Sequence, residues 1–155
     1  MTELTEPALD PMTLDSRVGF DFFYPVPLNE PCSKREWREM GKAVGLTQFG
    51  VNLTTLPPGT WSTQRHWHLN EDEFVYIVSG EAVLVTDSGE QLLSAGMVAG
   101  FPAGKQDGHH LINKSDSPVT LIEVGSCAPR EEGGYPDLGK KFIVHEDGSE
   151  DFLPE

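Results

Sequence analysis

Turn signals break this chain so often that no long helix can form between Thr47 and Gly125. Pro57-Pro58-Gly59, Ser79-Gly80, Asp87-Ser88-Gly89, Ala95-Gly96 and Lys114 through Pro118 all carry residues that favour tight backbone reversal. The stretches between them are short and rich in β-branched and aromatic residues. In the first, over 47–54, Phe49, Val51 and Leu53 alternate with polar or small neighbours. Further strands are predicted over 60–68, 73–79, 81–87, 90–93, 97–102, 108–113 and 118–125. About eight short strands at this spacing indicate an all-β sandwich or jelly-roll barrel, not an alternating α/β sheet. The sequence contains no internal repeat, and 155 residues suit one domain.

The flanks read differently. Residues 1–16 carry four acids and two prolines with little apolar periodicity, as expected of a mobile arm preceding a single domain over 17–155. Val18 to Tyr24 reads as a first strand, ended by Pro25 and Pro27. Ser33-Lys34-Arg35-Glu36 has capping-box spacing and predicts a short helix over 34–42, interrupted by Gly41 and stopped near Gly45. Beyond Arg130 the chain is polar and rich in Gly and Pro, with one more strand over 140–144.

Twenty-five acids against 11 bases give a formal net charge of −14. A surface of that sign repels phosphate backbones and anionic membranes, which argues against nucleic-acid or membrane partners and leaves a small molecule as the expected ligand. Cys32 and Cys127 stand far apart with no CxxC pair, so no disulfide framework is expected. The acidic start lacks the basic and apolar regions of a signal peptide, and no apolar run is long enough for a membrane helix. These features together predict a cytoplasmic protein.

Four of the five histidines fall in two short segments. In His66-Trp67-His68 the imidazoles are two residues apart, so a strand presents both on one face and Trp67 on the other. Glu73 opens the next apolar run after a short turn, and an antiparallel neighbour would bring its carboxylate beside them. His109 begins a further strand. Three neutral nitrogens and one carboxylate oxygen suit a divalent transition metal such as Zn, Mn, Fe or Ni, and suit Ca or Mg poorly. His145 has no partner at ligand spacing.

The run Gly59…His66-x-His68-x4-Glu73-x6-Gly80 resembles the first conserved motif of the cupin superfamily, and Gly96-x5-Pro102-x-Gly104…His109-x3-Asn113 resembles the second. Phrases such as GLTQFGVNL, EDEFVYIVSGE and GHHLIN are similar to small prokaryotic monocupins. The resemblance, centred on a motif core over 47–125, implies a double-stranded β-helix barrel holding a divalent metal on His66, His68, Glu73 and His109. It also implies a homodimer, for which Trp67 and Phe74 are the expected contact residues. The sequence departs from the pattern by one extra residue between Gly59 and His66 and by a longer spacer, Lys105-Gln106-Asp107-Gly108, before His109. The longer spacer leaves His109 and His110 as two candidates for the fourth ligand. The family pattern, and the face His109 shares with Asn113, favour His109. Met97 replaces a common Asp, a change Gly96 should tolerate by supplying the turn's backbone angles.

Ser62 and Gln64 have the parity of His66 and His68 and are predicted to point inward, either toward a substrate or to satisfy buried polar groups. Lys105 and Asp107 lie on the longer loop and are further candidates for substrate contact or proton transfer. Val51, Leu53, Val75, Ile77, Leu111 and Leu121 are predicted to line the barrel. By analogy with the family, the expected function is a metal-dependent enzyme acting on a small carbonyl or hydroxylated molecule, isomerase-like, on a sugar, sugar phosphate or organic acid. An iron-dependent dioxygenase on the same ligands is the first alternative, and a non-catalytic small-molecule binding or sensing barrel the second.

Overall fold

The computed structural model describes residues 4–20 and 24–154. In chain order the strands are β1 (Arg17–Val18), β2 (Glu36–Glu39), β3 (Phe49–Leu56), β4 (Trp67–His68), β5 (Glu73–Ser79), β6 (Glu81–Thr86) and β7 (Gly89–Ser94). They continue with β8 (Val98–Phe101), β9 (His110–Ile112), β10 (Val119–Ser126), β11 (Glu131–Tyr135), β12 (Lys140–Val144) and β13 (Glu150–Pro154). One α-helical turn, α1 (Met40–Ala43), follows β2. All pairings among the described strands are antiparallel, in a six-stranded sheet β1-β2-β3-β10-β5-β8, a four-stranded sheet β13-β12-β11-β4 and a three-stranded sheet β7-β6-β9. This is the jelly-roll barrel expected from the turn pattern.

Packing inside the barrel is graded along its length. On β3, β10 and β5 the rung Thr54–Leu121–Ile77 is buried, and its Leu121 and Ile77 join Leu56, Leu84, Leu111 and Val119 in the apolar core. Two rungs along, Gly50, Gly125 and Glu73 stand in register. Two small residues there leave room, so the barrel is solid at one end and open at the other. A second cluster of Tyr24, Cys32, Tyr135 and Phe142 packs where the N-terminal segment meets β11 and β12. Cys32 is buried, Cys127 is exposed, and both are free thiols. Among the described residues no helix is long and apolar enough to cross a membrane.

Several expectations are corrected. The capping-box reading of 34–42 fails: Glu36–Glu39 is strand β2, paired with β3, and only Met40–Ala43 is helical. Ser33 instead closes a 3-10 turn by donating to the Glu30 carbonyl. The strand wins because it buries Arg35 and Trp37 at alternate positions against distant partners, which outweighs a weak local helix signal. Val51 and Leu53 do not line the barrel. They take the parity opposite to Thr54 and Leu56, and α1 lies against Val51. The outer face of this sheet is itself apolar, so alternation alone did not reveal which side points in. The predicted strand over 60–68 shrinks to β4 plus isolated bridges Trp61–Ile112 and His66–His109. Of the run from Val18 to Tyr24, only Val18 is in β1, and residues 21–23 lie outside the described residues. Strands β11 and β13 were not foreseen. Gly96 has φ +88°, the left-handed turn geometry that accommodates Met97.

Candidate metal centre

Backbone pairing sets the histidines side by side. His66 N–H donates to the His109 carbonyl (3.2 Å) and His109 N–H donates to the His66 carbonyl (2.9 Å). Their rings consequently lie 4.9 Å apart. His68 follows on β4, which is held by β11 through Gly133 opposite His68 and Gly134 opposite Trp67. Both glycines are required by contact. A Cβ on Gly133 would collide with the Trp67 carbonyl and the Phe142 ring, and one on Gly134 would sit 2.6 Å from the Trp67 indole nitrogen. Trp67 is therefore covered by β11 and is not an outward contact residue.

The four predicted ligand side chains converge. Glu73 Oε2 lies 2.7 Å from His109 Nε2 and 3.4 Å from His66 Nε2, and Oε1 lies 3.6 Å from His68 Nε2. The opposite ring nitrogens are held by other groups. His66 Nδ1 faces the Gln64 carbonyl (2.9 Å) and Thr63 Oγ1 (3.2 Å), and His109 Nδ1 faces the Asp107 carbonyl (3.4 Å). A proton on Nδ1 bonded to a carbonyl leaves Nε2 with its lone pair free, the tautomer a metal ligand needs. His68 Nδ1 is buried with no hydrogen-bond partner among the described residues, 3.8 Å from both Glu71 and Glu131. Phe101 stacks on His109 at 3.5 Å and fixes its plane. Three imidazole nitrogens around one carboxylate at the open end of a barrel fit a divalent transition metal.

Electrostatics favour an ionised Glu73 and a neutral His68. Burial alone would raise the Glu73 carboxyl, yet His66, His109 and His68 hold it well below its usual value, so it is ionised. Burial pushes His68 down to about 4, which keeps it neutral. At His66 burial is outweighed by the Glu73 carboxylate, and the imidazole is raised. His110 stands apart. It turns to the Thr63 carbonyl (3.0 Å) and packs edge-on against Trp61 at 4.7 Å, and burial lowers it to about 4.

The other sequence candidates occupy plainer places. Ser62 Oγ accepts from Leu111 N–H (2.9 Å), and Gln64 Nε2 donates to the Leu28 carbonyl (2.6 Å), so both satisfy buried backbone. Lys105 is mostly exposed and pairs with Asp107 at 3.5 Å, while Asp107 accepts from Asp87 N–H. Asp107, Lys105 and Gln64 do not line the cavity beside the four ligands. Arg65 ties Asp137 (2.7 Å) and Asp87 to the carbonyl of Gly108, next to His109. Asn113 closes its turn by donating to the Leu56 and Ser117 carbonyls.

The cavity encloses about 430 Å³ and is walled by residues that sequence reasoning passed over. Glu123 on β10, opposite Val75 on β5, points inward and pairs with the buried Arg35. Glu71 also lines the cavity, and burial raises its carboxyl. Glu131 is 3% exposed and accepts from the N–H groups of Leu69 and Asn70, bracing the turn after His68. One signal was available for Glu123, a lone charge sharing the parity of the inward Leu121.

The cupin domain model matches residues 52–125. A crystal structure of a sugar phosphate isomerase from a cupin superfamily, from Silicibacter pomeroyi, is 39% identical and superposes with a TM-score of 0.91 over 96% of this chain and 93% of that one. A protein of Acidithiobacillus ferrooxidans, provisionally described as a sugar phosphate isomerase, is 27% identical with a TM-score of 0.76 over 82% of this chain and 80% of that one. A polyketide cyclase from Streptomyces resistomycificus, 16% identical with a TM-score of 0.63 over 80% of this chain and 81% of that one, shares the fold. No curated protein sequence matches the chain. With motif, barrel topology and a near full-length relative in agreement, the chain belongs to the cupin superfamily.

Proposed function

We propose that this protein is a metal-dependent isomerase of a small hydroxylated carbonyl compound, with His66, His68, Glu73 and His109 as the metal ligands. The observation that carries the reading is the convergence of three histidine Nε2 atoms on the Glu73 carboxylate at the edge of a cavity large enough for a small molecule. The likeness to the Silicibacter pomeroyi isomerase supports the reaction class.

When bound, the metal supplies Lewis acidity that polarises a carbonyl oxygen. The chain does the rest. The backbone carbonyls of Gln64 and Asp107 hold His66 and His109 in one tautomer, and Glu71 and Glu131 flank His68. Phe101 and Val75 exclude water from one wall. An aldose–ketose interconversion removes a proton from the carbon next to the carbonyl and returns one to the former carbonyl carbon. A hydroxyl proton moves between the two oxygens, with no net oxidation. Three carboxylates outside the ligand set line the cavity; Glu131 is taken up by the Leu69 and Asn70 N–H groups, which leaves Glu71 and Glu123 as proton acceptors.

The test is elemental analysis of protein purified without a metal-affinity tag, then proton NMR of aldose and ketose mixtures in heavy water. One transition metal per chain with solvent deuterium entering the sugar supports the proposal. Protein that binds no transition metal, or that consumes oxygen with these compounds, refutes it.

A further inference from the structure

The cavity wall beside the proposed metal ligands contains a carboxylate that is already oriented and half used. Glu123 lies on β10 opposite Asn52 of β3 and Val75 of β5, diagonal to Glu73 on the same inner face. Its Oε2 accepts from Arg35 and from Thr54 Oγ1 (2.7 Å). Its Oε1 accepts no hydrogen bond from the described residues. Arg35, 4% exposed, cannot swing away. Its other terminal nitrogen donates to the Ser62 carbonyl at 3.0 Å, and its guanidinium lies 4.5 Å from the Phe20 ring centre and 5.0 Å from that of Trp37.

Charge around the cavity limits what this carboxylate can meet. Four carboxylates line it: Glu71, Glu73, Glu123 and Glu131. Of the 11 Lys and Arg in the chain, Arg35 alone lines it. Arg35 is committed to Glu123, Thr54 and Ser62, and its remaining Nε is buried. A phosphate dianion needs donors with positive charge that are free to turn toward it. Among the described residues outside the metal ligands, no Lys or Arg of this cavity is free to do so, and its carboxylates add repulsion in a partly dehydrated space. A sugar hydroxyl needs the opposite, a fixed acceptor.

We propose that Glu123, held by Arg35 and Thr54, is the substrate-binding carboxylate of this cavity, accepting a hydroxyl hydrogen bond from an uncharged polyhydroxylated carbonyl compound in preference to its phosphate ester. This rests on the isomerase reading and narrows its substrate class. The geometry also specifies the informative variant. In Glu123→Gln the amide oxygen still accepts from Arg35 and Thr54, while the amide nitrogen puts a donor where the free acceptor was. Packing is retained and the contact to substrate is inverted.

The experiment uses the full chain loaded with one equivalent of the metal found in the native protein. Binding is read by saturation-transfer NMR, and turnover by deuterium incorporation. The probes are ribose, xylose and glucose with the corresponding ketoses, together with ribose 5-phosphate, glucose 6-phosphate and inorganic phosphate. The expected result is at least about a tenfold preference for a free sugar over its phosphate ester, with no competition from inorganic phosphate at equal concentration. Glu123→Gln should raise KM for the free sugar about tenfold or more with metal content near that of the native protein, while the melting temperature falls because the buried Arg35 loses its counter-charge. A preference for phosphate esters, or an unchanged KM in Glu123→Gln, overturns this proposal and leaves the isomerase reading standing. No binding and no turnover with any sugar of either class overturns both.

Discussion

His109 and His110 are neighbours in sequence, yet the structure sends them to different environments, and two alanine variants separate those roles. His109→Ala removes one of three histidine nitrogens converging on Glu73, the nearest at 2.7 Å. Loss of an outer-shell partner commonly lowers metal affinity about 10–100-fold, so loss of a donor should cost at least about 100-fold. His110→Ala removes a hydrogen bond to the Thr63 carbonyl (3.0 Å) and an edge contact with Trp61. The hydrogen bond contributes about 1 kcal/mol, and the aromatic contact about 1 kcal/mol. The cavity left at a buried position adds about 1 kcal/mol. A total of about 3 kcal/mol lowers the melting temperature by about 6–12 °C for a domain of this size. The assay is metal content by mass spectrometry after dialysis against a fixed free-metal concentration, with melting curves before and after chelation. The native protein and His110→Ala should both hold one metal per chain and both lose stability on chelation. At a free metal concentration about 100 times the native dissociation constant, the native loss is about 2.7 kcal/mol. His109→Ala, at least about 100-fold weaker, should be no more than about half occupied under these conditions and lose at most about 0.4 kcal/mol on chelation. Metal retained in His109→Ala and lost from His110→Ala would refute the assignment.

Three further outcomes follow from the same geometry. In metal-stripped protein, His68 and His110 are each lowered to about 4 by burial, so the unfolded chain takes up their protons first, near pH 6.5. The stability they contribute is present above pH 6.5 and is lost as pH falls toward 4, by up to about 1.4 kcal/mol per pH unit for each group. His66, raised by Glu73, has the opposite sign, and its contribution is lost only as pH rises through its folded value. Urea midpoints that stay flat from pH 6.5 to 4 would contradict this. Gly133→Ala drives a Cβ into the Trp67 carbonyl and Phe142, so it should destabilise by about 3 kcal/mol or more and weaken metal binding through displacement of β4. Unchanged melting and metal content would show that β4 does not depend on that contact. The outer sheet face carries Tyr76 in register with Ile122, Leu53 and Val98, beside the exposed Phe74 and Val78, which suits a second copy of the chain. Light scattering should give a dimer mass that Tyr76→Asp reduces to a monomer. A monomer mass for the native protein at micromolar concentration would refute it.

Local chemistry made much of this protein legible before its structure. Turn residues bounded β5 and β12 to the residue, because Gly and Pro act on the backbone where they stand and a strand's period needs no partner to be read. The same period predicted His66 and His68 on one face, and the family pattern together with the shared parity of His109 and Asn113 favoured His109 over His110. What remained hidden depended on partners far along the chain. Arg35 lies in a segment whose local signal was helical, and it is a buried strand-edge residue because Glu123, 88 positions away, neutralises it. Val51 and Leu53 read as core because apolar residues occupy both faces of their sheet, and only the pairing of β3 with β10 shows which face closes the barrel. Strand β11 reads as loop because Gly133 and Gly134 have poor strand propensity, and they are strand because Trp67 leaves no space there for a side chain. Sequence alone therefore determined the barrel and the candidate ligands, whose signals are carried by neighbouring residues. The cavity's acidic wall, and the carboxylate held ready within it, required the tertiary structure, since burial and charge pairing across the sheet exist only once distant strands meet.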